Sequence, residues 1–433
     1  MPSTVYNGWL PSDPQIYQAF VEQEIKFAKE RLENNVALQP SVQHLKDVIE
    51  KDTEMKRLSE EMFRQSSSLN SIQIASFDAL LGLIDGFIVK PPQFFSITDK
   101  DGRTIAAPLG VPIYLIVDLL SNTAAAHDLF QRKAFNDAMK GVLDAWGTYL
   151  KTSSSTGTLT TDENGWFSTL SLQALELYAG KFDETYKSQP SKPYKGYTSW
   201  DNFFTRELLK PDVRPLPDPS DKWAIANACE STTYHIRHGV KEDDKFWLKG
   251  QNYSLYDMLG GDEFKDIAKS LVDGTVYQAY LSPQDYHRWH SPVGGTIRDF
   301  KVLPGAFYAV LPDEGASVDD PVFNTGDARG ALLRSQAWNS MHAARAVIFI
   351  DNPDLGLVVF IGIGMAEVST CEVTVTKGKE VKRGDQLGMF HFGGSSHALI
   401  FDPKIKVEFE PDVNVNVHRW INKKLATAEL RPK

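Results

Sequence analysis

Residues 274–292 read GTVYQAYLSPQDYHRWHSP. The first eight, Gly274–Leu281, form a short apolar run that stops at a Ser-Pro pair, the pattern of a strand entering a turn. The part that follows, Asp285-Tyr286-His287-Arg288-Trp289-His290-Ser291-Pro292, places two histidines three apart between Pro283 and Pro292. Histidine is the side chain best suited to move protons near neutral pH. An isolated HxxH also suits a metal pair or two surface histidines, but a zinc site needs further ligands and HEXXH is absent. Punctuated apolar runs of the same kind follow at Ala346–Ile350 (AVIFI), Gly356–Ile363 (GLVVFIGI) and Val373–Val375. Val407–Glu410 and Val413–Val417 alternate as half-buried strands do.

Upstream the texture is helical. Pro11-Ser12-Asp13-Pro14 is a helix start. Ile16, Phe20, Val21, Phe27, Ala28 and Leu32 then recur at helical spacing, as do Phe135, Met139, Val142, Leu143, Trp146 and Leu150. Lys151–Glu163 is a polar loop, and Ser188–Gly196 (SQPSKPYKG) reads as a boundary. The expected fold class is α+β, with a helical N-terminal domain over 1–195 and a mainly β domain over 196–433. The chain has 433 residues, 42% of them apolar, enough for sizeable cores. With 46 Lys and Arg against 56 Asp and Glu, the net charge of −10 argues against nucleic-acid binding and against an anionic membrane surface. No secretory signal and no bilayer-spanning run are visible, and two cysteines support neither a disulfide framework nor a cysteine-based metal site. A cytoplasmic protein without a metal is the expectation, its oligomeric state open.

A second cluster is His391-Phe392-Gly393-Gly394-Ser395-Ser396-His397. Two glycines before two serines permit a strained turn in which a hydroxyl approaches the preceding carbonyl. An ordinary tight turn is the plainer reading. The residues match neither a P-loop nor GxSxG.

In order along the chain, several segments resemble the phosphatidylserine decarboxylase family. They are Asp201-Asn202-Phe203-Phe204-Thr205-Arg206 with Val213-Arg214-Pro215; Lys249–Leu255 (KGQNYSL); Leu281–Pro292, similar to LSPxDYHRxHxP; Val302-Leu303-Pro304-Gly305; and Gly378–Gly384 leading to Leu387–Ser396. The resemblance covers roughly 196–433. Within the family, the noncanonical fungal aromatic amino-acid decarboxylases resemble this chain over nearly its full length, including Gly8-Trp9-Leu10 and Ala228-Cys229-Glu230-Ser231.

This resemblance implies a pyruvoyl group made from Ser395 by self-cleavage after Gly394, with residues 196–433 as the catalytic domain. His290 matches the base for self-cleavage, and His287 matches the residue that returns a proton in turnover. The family's acid position falls in register on Cys229, one residue short of Glu230. Because one step on a strand reverses the face, either Glu230 serves through a bulge or the site is a Ser–His dyad without an acid. The implied substrate is a free aromatic L-amino acid, with L-tryptophan giving tryptamine first. Phosphatidylserine is the alternative substrate. Phe307, Tyr308, Trp289 and Phe392 are possible pocket lining, although such residues are more often core. Lys377–Met389 also looks like the hairpin of a biotinyl or lipoyl carrier module, or the chain could be an uncleaved, inactive relative.

Overall fold

The computed structural model describes residues 4–67, 74–99, 101–243, 253–320, 322–367, 370–392 and 394–431. It resolves into two compact units, each discontinuous in sequence: 1–177 with 188–204 and 305–335, and 178–187 with 205–304 and 336–433.

The first unit is built on helices α1 (Pro14–Glu33), α2 (Pro40–Lys51), α3 (Thr53–Ser66), α4 (Phe77–Phe87), α5 (Pro112–Ser121), α6 (Ala124–Phe130) and α7 (Lys133–Leu150). The start of α1 follows its sequence signal: Asp13 accepts from Gln15 N at 2.9 Å, and Pro14 occupies the first turn. Its apolar stripe buries Ile16, Phe20 and Val21, and Phe20 stacks on Phe87 of α4. Helix α7 buries all six of the residues whose spacing predicted it. Two small antiparallel pairs also belong here, β1 (Thr4–Val5) with β2 (Leu10–Pro11) and β3 (Gln93–Thr98) with β4 (Thr104–Leu109). The helical expectation for residues 1–195 did not include them. No described helix is long and apolar enough to cross a membrane.

The second unit carries β5 (Ala224–Ala226), β6 (Ser231–His238), β7 (Thr275–Leu281), β8 (Arg288–His290), β9 (Gly295–Leu303), β10 (Arg345–Asn352) and β11 (Gly356–Met365). It continues with β12 (Cys371–Val373), β13 (Glu380–Val381), β14 (Gln386–Phe390), β15 (Gly394–Phe401), β16 (Ile405–Phe409), β17 (His418–Arg419) and β18 (Lys424–Leu430). Among the described residues, eight strands pair in the order β13-β9-β10-β11-β15-β7-β6-β17, and two three-stranded sheets run β12-β14-β8 and β16-β18-β5. The inner strands β10, β11 and β7 are buried along nearly their whole length, which is why they read as continuous apolar runs rather than alternating ones. Ile348, Phe360, Leu399, Leu387, Ile405 and Leu425 bring all three sheets to one core.

Val413–Val417 is not the strand its alternation suggested. Val413 N bonds to Glu410 O, Val417 N to Asn414 O, and Asn416 takes a positive φ of 64°. Two consecutive turns replace the ladder, leaving Val415 and Val417 exposed. The carrier-like stretch Lys377–Met389 contributes β13 and β14, and β14 pairs with β8, the strand that ends in His290.

Candidate active site

Sheet register brings the two chemistry-bearing segments together. In β15, Ser395 lies opposite Leu281 at the end of β7 on one side and Gly364 of β11 on the other. The DYHRWH segment leaves β7 through a turn and enters β8. Gly394 and Ser395 sit in this regular register, Gly394 opposite Met365, rather than in the strained turn the glycines suggested. Gly393 lies outside the described residues, as do Lys249–Asn252 of the KGQNYSL segment. In the uncut chain Ser395 is fully buried, and its Oγ has no hydrogen-bond partner among the described residues. A buried hydroxyl without a partner costs about 1–3 kcal/mol.

His290 is held by neutral groups. Its Nε2 lies 3.2 Å from the Tyr286 hydroxyl and its Nδ1 3.2 Å from Asn422 Oδ1. Burial keeps the Tyr286 phenol protonated, so Tyr286 O–H donates to Nε2 and Nδ1–H donates to Asn422. The Asn422 amide is oriented in turn by donating to Arg214 O at 3.3 Å. Burial, with Arg288 nearby, lowers the His290 imidazole to about 4, against the opposing Asn422 hydrogen bond and the Glu230 charge. It is therefore neutral and ready to accept a proton. The Asn422 amide holds the ring and its tautomer, one of the two parts that an acid performs in a Ser-His-Asp set, and supplies no charge.

Glu230, the candidate acid, has another partner. Its Oε1 accepts from Arg214 Nη2 at 2.6 Å and its Oε2 from Ile421 N at 3.1 Å. Both side chains of this ion pair are at most 2% exposed. Cys229, in register with the family's acid, is fully buried, and burial with Asp285 and Glu230 nearby holds its thiol well above the usual range, so it carries no charge.

His287 lies in the turn itself. Burial and the Arg206 charge push its imidazole well down, against the weaker opposing influence of the nearby Asp285 and Ser282 backbone. Trp289, between the two histidines, is core rather than pocket lining. Its ring is clamped between Gly362 and Gly388, where an added Cβ would approach it to 2.9 and 2.7 Å. On the other side of β8, His290 opens on a cleft of about 950 Å³ lined also by Tyr286, Asn422, Arg214, Glu207 and Gln386.

The family described as phosphatidylserine decarboxylase matches residues 200–425, and a second family of that description matches 39–175. The chain belongs to the phosphatidylserine decarboxylase family. It is a carboxy-lyase. It is 51% identical to the decarboxylase iboD of Amanita muscaria, over 79% of this chain and 99% of that protein. It is 33% identical to an L-tryptophan decarboxylase of Psilocybe cubensis, and 34% to one of Psilocybe cyanescens, each over 90% of this chain and 87% of theirs. A phosphatidylserine decarboxylase proenzyme of Oryza sativa is 31% identical over 55% of this chain.

Two residues of this decarboxylase's site escaped the sequence reading. Asn422 has no motif around it, although its positive φ of 68° suits the asparagine found there. His418, discussed below, is as isolated. The fit of a serine-derived carbonyl group rests on this chain's own geometry: a buried, unbonded hydroxyl directly after a glycine, flanked across the sheet by a residue with no side chain.

Proposed function

We propose that this chain is a pyruvoyl-dependent decarboxylase of a free aromatic L-amino acid, L-tryptophan to tryptamine being the first reaction to test, and that it matures by cutting itself between Gly394 and Ser395. The observation that carries the reading is the buried Ser395 hydroxyl, without a partner and in register with the strand that enters the two-histidine turn. Residues 196–433 are the proposed catalytic domain and 1–195 the helical one, in a cytoplasmic enzyme with a small-molecule substrate.

Ser395 Oγ attacks the Gly394 carbonyl carbon while its proton passes to His290, and the peptide nitrogen leaves with a proton, giving an ester. Elimination frees the upstream carboxylate and leaves dehydroalanine, which water converts to the pyruvoyl group with loss of ammonia. An imidazole lowered to about 4 is a weak base, but the cut is needed once per chain, so a slow step suffices. Asn422 fixes the tautomer that leaves Nε2 as acceptor, and Tyr286 must yield that position. In turnover the pyruvoyl carbonyl supplies the electron sink that draws charge from the substrate's α-carbon as CO₂ leaves. His287 is the proposed proton donor to that carbon. Burial keeps its ring neutral, so it donates through an N–H rather than as an imidazolium.

The aromatic substrate is favoured over phosphatidylserine by coverage. The tryptophan decarboxylases match over 90% of the chain, the helical part included, and the rice and fission-yeast proenzymes over 55% and 54%. Intact-mass spectrometry before and after Ser395→Ala tests the chemistry. Wild type should give two fragments, the smaller with a pyruvoyl terminus, and the variant one intact, inactive chain. Tryptamine formation by the uncut variant refutes the reading.

A further inference from the structure

His418 belongs to none of the motifs that pointed to the site. It opens β17, opposite Thr232 of β6. Its Nε2–H donates to Asp285 Oδ1 at 3.2 Å, the two side chains being 5% and 8% exposed. Its ring stacks on Tyr178 at 4.7 Å between centroids, with planes 17° apart. The other oxygen of Asp285 accepts from Ser282 N at 2.7 Å, and Asp285 N donates back to Ser282 O at 3.0 Å. One carboxylate therefore closes the turn Ser282–Asp285 and ties it to β17. That turn begins next to Leu281, the residue opposite Ser395, and His287 follows Asp285 by two residues. Hydrogen bonds thus run from His418 through Asp285 to the start of the turn that leads into His287.

We propose that His418 is a positioning residue for turnover: through Asp285 it fixes the turn that leads from Leu281 into His287, and its loss impairs decarboxylation while self-cleavage continues. The proposal rests on the reading of Ser395 and His287 given above. A buried carboxylate needs a counter-charge or a full set of donors, and among the described residues His418 supplies the donor to Asp285 that comes from outside its own turn. The groups that face His418 act in both directions. Burial lowers its imidazole and Arg214 lowers it further, but the Asp285 charge and hydrogen bond, with Glu230 beyond, outweigh both, and Tyr178 covers one ring face. The net shift is upward, so the charged pair is present at and below the ordinary histidine range and is lost as pH rises through the raised value. Above that value His418 still donates, but a neutral hydrogen bond is weaker than a charge-assisted one.

The test uses full-length His418→Phe, and His418→Gln, which keeps a neutral donor. Both should be fully cut after Gly394. With L-tryptophan, His418→Phe should lose up to about 100-fold in kcat at unchanged KM, the size of effect expected from misplacing a reacting group by an ångström. Wild-type kcat should fall on the alkaline side as the pair loses its charge, and His418→Gln should recover part of the loss and flatten that fall. A second readout needs no substrate: in histidine-labelled, uncut Ser395→Ala protein, the His287 ring signal should shift when His418→Phe is added. Wild-type kcat and pH profile in His418→Phe, or an unmoved His287 signal, overturns the proposal. So does loss of cleavage in both folded variants. A wild-type chain that is cut but ignores tryptophan refutes the substrate reading instead, and the His287 signal then decides.

Discussion

Glu230→Gln separates the role of a buried ion pair from that of a catalytic acid. Arg214 and Glu230 are 2% and 1% exposed, and Glu230 receives contacts from Arg214 at 2.6, 3.1 and 3.2 Å. Removing the carboxylate charge leaves a buried guanidinium with Val213 O, Ala179 O and the face of the Trp420 ring at 4.4 Å among its remaining partners. Breaking one side of such a pair costs about 3–5 kcal/mol, which in a protein of this size corresponds to a melting temperature lower by roughly 3–6 °C. The amide oxygen of glutamine can still accept from Ile421 N, so Asn422, the next residue, stays in place. Calorimetry should therefore show a large loss of stability, while mass spectrometry well below the new melting temperature still shows the cut after Gly394. Arg214→Met with Glu230→Met should regain most of the loss, because neither charge is then stranded. Asn422→Ala should do the reverse, with a modest change in stability and slow cleavage. A Glu230→Gln protein that melts like wild type but stays uncut, beside an Asn422→Ala protein that cuts normally, would refute the assignment and return the acid role to Glu230.

The acid behaviour of His290 gives two readings. With a folded value near 4 against 6.5 when unfolded, single-turnover cleavage should be flat above about pH 5 and fall tenfold per unit below about 4. The unfolded chain takes up the proton first, so roughly 3 kcal/mol of stability should be lost as pH falls from 6.5 to 4, measurable by denaturant titration. His287→Gln should leave cleavage intact and reduce turnover by about 100-fold or more, and loss of cleavage there would mean the two histidines' roles are exchanged. His397 is fully buried between Tyr277 and Phe360 with neither ring nitrogen bonded, and burial lowers it to about 3. His397→Phe should gain about 1–3 kcal/mol and still cut, whereas a stabilised but uncut variant would move the base from His290 to His397.

The sequence made the strands and the reacting pair legible because both are local patterns. Runs such as GLVVFIGI are read correctly when a strand is buried on both faces, and LSPQDYHRWHSP carries its turn and its histidines within a dozen positions. What it hid is long-range. Nothing near Asn422 says that it meets His290 from 132 residues away, or that His418 meets Asp285 from 133. Glu230 looked like an available acid because Arg214, its partner, sits in a different motif. Alternation misled at Val413–Val417, where asparagine-directed turns outweigh the β propensity of valine.

The spacing of the two histidines has a packing reason as well as a chemical one. Trp289 fills the gap left by glycines on two different strands, Gly362 of β11 and Gly388 of β14, and its ring also meets Phe360 and Phe390. With that side chain locked into the core, strand alternation turns its neighbours Arg288 and His290 to the other face. There Arg288 meets Thr205 O and Gln386, and His290 meets Asn422. His287 precedes the strand, so it answers to the turn and to Asp285 rather than to Trp289. The two histidines are thus held by independent means, one by an indole wedged between glycines and the other by a carboxylate bound to His418. On the proposed roles, that independence lets His290 serve a cut made once and His287 a reaction made repeatedly, each open to substitution without disturbing its neighbour.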